Sequence, residues 1–142
     1  MKNKNYRYQL IMDEEQARMI CTACEFYARM TCGQWQELTS HTLDLRRNDY
    51  CAARDQLEDL LLQARCIAFP ELSRSFGHSY GVGKFHHSDL AWELYEVVRH
   101  CIAWASHPEG GITVDFGRPM SFSGHKLAEC KVITQKEAEH GK

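Results

Sequence analysis

Asp89-Leu90-Ala91-Trp92-Glu93-Leu94-Tyr95-Glu96-Val97-Val98-Arg99-His100-Cys101-Ile102-Ala103-Trp104-Ala105 is the run that decides how this chain is read. Its polar positions Asp89, Glu93, Glu96 and His100 follow a 4-3-4 spacing, which predicts one narrow wet stripe along a helix. Apolar side chains fill nearly every other position. A helix of that kind is central in its domain or shared with a second subunit, so a homo-oligomer is expected. Ser88, just ahead, stands where an N-cap belongs.

The segment feeding this helix, Ser73-Arg74-Ser75-Phe76-Gly77-His78-Ser79-Tyr80-Gly81-Val82-Gly83-Lys84-Phe85-His86-His87, is loosened by three glycines and rich in donors. Orphan amides and the dipole at a helix start favour negative charge, so the loop reads as an anion site. Arg99 shares a helix face with Trp92, Tyr95 and Ile102. Such an arginine either makes a structural ion pair, its stem lying along apolar surface, or turns toward an anionic ligand. If it faces the same space as the loop, guanidinium, aromatic walls and amides together suit a nucleotide-like ligand. The residues nominated for binding are Arg74, His78, Lys84, His86, His87, Ser88, Trp92, Tyr95 and Arg99.

Working outward, Asp13 and Gln16 form a capping-box pattern, and apolar spacing predicts a helix to about Met30, stopped by Gly33. The stretch from Gln34 to Leu45 is ambiguous, with room for a short helix around Trp35 and Leu38. Asn48 or Asp49 can start a further helix whose stripe includes Leu57, Leu61 and Ala64 and whose other face carries Arg54, Asp55, Glu58, Asp59 and Arg65. Phe69-Pro70 ends it. Tyr6 to Met12 and Ile112 to Phe116 read as strands, with short extended pieces at Met120–Phe122 and Lys131–Ile133. The expected fold is therefore α+β: one helix-dominated domain over residues 1–142, with three principal helices and a small sheet joining N- and C-terminal strands. Residues 135–142 are expected to fray.

With 17 basic and 19 acidic residues, the formal charge of −2 argues against general nucleic-acid binding. No apolar run reaches the roughly 20 residues that span a bilayer. The N-terminus lacks the apolar centre of a signal peptide, so a cytoplasmic address with reduced thiols is expected for the seven cysteines. Cys21 and Cys24 lie inside a helical pattern without a second ligand pair, which favours core packing over zinc. His78, His86 and His87 with an acid could hold a metal, but neighbours in sequence seldom point at one ion. No nucleophile elbow, zinc-protease helix or phosphate loop is present. Neither a cofactor nor an enzyme activity is expected.

Tyr8 to Ala17, Leu90 to His100, Gly110 to Phe116 and Phe122-Ser123-Gly124 resemble small accessory proteins of bacteriophages and prophages. That resemblance implies a role in an infected bacterium, where such proteins counter host defence. Joined to the loop chemistry, it makes sequestration of a small phosphorylated ligand, a nucleotide immune signal, the leading expectation. An inhibitor that blocks a host defence enzyme or nuclease is the alternative, and a small metal-dependent hydrolase the third.

Overall fold

Asp13 opens the first helix as its sequence predicts: its carboxylate accepts from the Gln16 amide, and the Gln16 side chain accepts from the Asp13 amide. Helix α1 then runs Glu14–Thr31. At its end Gly33 adopts φ +91, the Gln34 amide reaches Arg29 O and the Gly33 amide reaches Met30 O. That pair of bonds is a Schellman closure, which requires the left-handed residue that glycine supplies. The short α2 is Glu37–Thr42, α3 is Tyr50–Ala68 and α4 is His86–Ser106. Asp49 precedes α3, but its carboxylate grips Arg47 instead of capping the helix.

The computed structural model describes residues 6–111, 117–134 and 137. Among these there are four helices and no strand, so the α+β expectation is corrected to all-α. Residues 6–12, 120–121 and 131–133 lack regular structure, and residue 122 lies in a bend. A strand exists only when its amides and carbonyls find a ladder. Arg7 approaches Glu129 at 3.6 Å, yet no backbone bond joins the two segments among the described residues. The strand expected at Ile112–Phe116 lies outside the described residues, as does most of the tail expected to fray.

Helices α1 and α4 pack antiparallel as the spine. The Ser88 hydroxyl donates to Ala28 O at 3.1 Å, and the Cys21 thiol lies 3.8 Å from Tyr95 O. Ala28, Ala91, Val97 and Val98 are the buried apolar residues of the described chain. Among the described residues no large apolar side chain is fully buried; the largest side chain that is belongs to Arg65. No helix of the described residues is long and apolar enough to cross a membrane.

Candidate functional site

The loop ahead of α4 is built around a cation that the sequence placed on a polar face. Arg65 reaches from α3 with 0% of its surface exposed. Its Nη1 donates to His78 O at 2.7 Å and Gly33 O at 3.3 Å, and its Nη2 to Ser73 O and Ser75 O, both at 2.5 Å. The guanidinium also lies 5.5 Å from the centre of the Phe76 ring. Carbonyl dipoles thus replace a counter-ion, and the loop bends its oxygens inward. An anion cradle needs the opposite arrangement, with amides converging.

Aromatic packing fastens the other half of the loop. Trp35, Phe69, Tyr80 and Phe85 form a chain of edge-on contacts with centroids 5.0–5.9 Å apart. The Tyr80 amide donates to Cys32 O at 2.9 Å, and its hydroxyl donates to the Glu71 carboxylate. Of the three loop glycines, Gly83 alone takes a left-handed conformation, at φ +83. The segment is therefore a satellite core at the end of α1.

The nominated binding residues fall into separate groups. Arg74 is exposed on the loop, and the His78 ring meets the Ser73 hydroxyl at 2.8 Å. Lys84 sits 5.3 Å above the Tyr80 ring. His86 lies beside His87 and His125, at 5.6 and 5.0 Å between ring centres. Ser88 is not an N-cap: Phe85 holds that position, and Ser88 is buried against α1. From Ser88 to Arg99 the helix rises about 16 Å, so Arg99 does not share the loop's space. There Arg99 donates to the Tyr95 hydroxyl at 3.0 Å and lies over its ring. Trp92 faces the Arg29 guanidinium at 5.9 Å and bonds Glu96 through its indole nitrogen.

The acidic stripe of α4 is likewise not wet. Asp89, 4% exposed, accepts the Gly83 amide at 2.7 Å near the helix start, where its charge already serves the dipole. Glu93, also 4% exposed, accepts the amides of Phe122 and Ser123 at 2.5 and 2.6 Å and the Ser123 hydroxyl at 2.8 Å. Burial pushes its carboxyl up, but hydrogen bonds from Ser123, Phe122 and Ser121 outweigh that and hold it below the ordinary glutamate value. Glu96 accepts the Met120 amide at 3.1 Å. The stripe is a row of acceptors that holds the C-terminal segment.

Burial raises Cys21, Cys24 and Cys32, which leaves them protonated and inert. No group of three histidine, cysteine or acidic residues among the described ones could hold a metal ion.

Two concavities lie elsewhere. A trough of about 1380 Å³ runs between residues 6–14, the second half of α4 and residues 125–133. It exceeds the roughly 300–1,000 Å³ of small-molecule sites. A groove of about 390 Å³ lies between α1 and α2, lined by Met19, Ala23, Phe26, Tyr27, Met30 and His41 with Thr22. The apolar recurrence of α1 contained the signal for this groove, but α1 carries two apolar faces and periodicity did not separate them. Compared with known proteins, the chain matches no family model, no curated protein and no solved structure.

Proposed function

We propose that this chain is a non-enzymatic accessory protein that acts by binding another protein. The observation that carries the reading is the outer face of α1. At 100° per residue, Met19, Ala23, Phe26 and Met30 stand opposite the Cys21–Ala28 face that meets α4. Met19, 62% exposed, and Ala23 lie open to a partner, and Phe26 and Met30 are half-buried between them. The ring of His41 closes edge-on upon Phe26 at 4.8 Å and forms the floor's polar rim. Methionine and aromatic side chains on a rigid helix are the surface that protein partners dock against, because they bury area and adapt in shape. The phage likeness gives the partner's class, a bacterial host protein whose action is blocked.

Phosphate sequestration has less support. It required loop amides, Arg74, Lys84 and Arg99 around one cavity; the loop's carbonyls are spent on Arg65, and neither concavity includes Arg74, Lys84 or Arg99. The test is native mass spectrometry of the full chain, incubated separately with a bacterial extract and with a nucleotide mixture. One host protein retained at fixed stoichiometry, lost in Tyr27→Asp and kept in Arg74→Ala, supports the reading. Tight retention of an unchanged nucleotide, abolished by Arg74→Ala or Lys84→Ala, overturns it in favour of sequestration. A nucleotide of altered mass overturns it in favour of an enzyme.

A further inference from the structure

Two of the seven cysteines meet in the trough. Cys101 comes from α4 and Cys130 from the C-terminal segment; both line the trough, and their thiols are hydrogen-bonded to each other. Cys21 is near enough to act on Cys130, but its own thiol donates to Tyr95 O at 3.8 Å. The Cys32 thiol is likewise engaged, at 3.3 Å from Arg29 O. The thiol-to-thiol bond therefore singles out one pair, drawn from two segments remote in sequence.

We propose that Cys101 and Cys130 are an oxidation site, joined within one chain as a disulfide that clamps residues 126–133 to α4. The oxidant is a small disulfide such as oxidised glutathione. One cysteine gives its proton to solvent, and its thiolate attacks the glutathione disulfide. A mixed disulfide forms, and one glutathione leaves and takes up a proton. The second cysteine then gives up its proton, attacks the protein sulfur of the mixed disulfide and expels the other glutathione, which is protonated in turn. Two protein thiols are oxidised and one glutathione disulfide is reduced to two thiols.

The setting suits such chemistry. A disulfide tolerates only about 4.4–6.8 Å between α-carbons, so its sulfurs must be neighbours before the oxidant arrives. Cys130 is exposed as a residue, which admits the oxidant, while its thiol turns toward the half-buried Cys101. Burial first, and the bond to Cys101 second, push the Cys130 thiol up to about 12, so it rests protonated. In a reducing compartment a link of this kind is transient and reports oxidant. Its mechanical effect follows from what else holds the segment. Glu93 anchors residues 121–123, and beyond them Glu129 meets Arg7 and Lys126 at exposed positions, where ion pairs contribute little. A covalent bond at Cys130 fixes this wall of the trough to α4, and reduction frees it. The inference is independent of the α1–α2 groove.

The test incubates the folded full chain in glutathione buffers of increasing oxidised share, blocks free thiols with N-ethylmaleimide and maps the cysteines by peptide mass spectrometry. The expected result is a Cys101–Cys130 linkage formed at least tenfold ahead of any other pair and removed by dithiothreitol. Exchange of the 126–133 amides should slow at least tenfold on oxidation, while the 73–80 loop is unchanged. In Cys130→Ser, Cys101 should carry a glutathione cap instead. In urea, where the two segments part, the preference for this pair should vanish. Free thiols at every ratio, caps left on both sulfurs, a Cys21–Cys130 linkage or chains joined through Cys130 would each overturn the proposal. So would a linkage as selective in urea as in the folded chain, or one that leaves the 126–133 amides exchanging as before.

Discussion

Arg65 and Glu93 solve the same problem with opposite charge. Each is a buried ion on a helix, and each faces an irregular segment instead of an ionic partner. Arg65 gathers the carbonyls of Gly33, Ser73, Ser75 and His78; Glu93 gathers the amides and hydroxyls of residues 121–123. An isolated buried charge is costly, and here peptide dipoles meet that cost. The difference lies in titration and reach. Arginine stays charged at any working pH and closes its loop from several directions, whereas the glutamate holds its segment through a carboxylate charge that protonation in acid removes.

The comparison breaks most visibly at Arg65. Arg65→Met strands four carbonyls in a dry site and should cost about 4 kcal/mol, read by urea denaturation. Arg65→Lys should recover part of the loss, because an ammonium has three donors and no planar fork. Glu93→Ala should cost about 2–3 kcal/mol and free residues 117–125 to proteolysis while the 73–80 loop stays protected.

Smaller again is Gly33→Ala, about 2 kcal/mol by denaturation, since φ +91 is strained for an L residue. A Cβ there would also come within 2.8 Å of Leu72 Cδ1. Acid is the mildest probe. The folded Glu93 carboxyl titrates below its ordinary 4.5, so its stabilisation is whole above that value and fades as pH falls through the folded one. Hydrogen exchange should then show the C-terminal segment loosening before the Arg65 loop; the reverse order would contradict the pairing of each segment with its ion.

Local chemistry was legible in the sequence. The capping box at Asp13, the glycine stop at 33, the proline stop at 70 and the body of α4 all stand as read. What failed was the assignment of charge to solvent. Arg65 lies on the charged side of α3, and Asp89 and Glu93 are the polar stripe of an apolar helix, so periodicity alone sends all three outward. Their partners are backbone groups of remote segments, which carry no residue signature. Ser88 failed similarly, because a serine before a helix and a serine donating to a neighbouring helix look alike in sequence. The strand expected at residues 6–12 failed for lack of a ladder among the described residues, since alternation shows a surface fit for pairing without showing where the mate is. The binding set at Arg74, His78, Lys84, His86, His87, Ser88, Trp92, Tyr95 and Arg99 was drawn from residue types near one another in sequence, and the length of α4 separates its ends.

The three tryptophans give the molecule its own optical markers. Trp35 stands in the aromatic satellite with its indole nitrogen on Met30 O, Trp92 sits under a guanidinium at mid-spine, and Trp104 is 40% exposed near the end of α4. Their emission should differ in colour and in access to quenchers. Variants retaining one indole each would therefore time the melting of the satellite, the spine and the helix end separately.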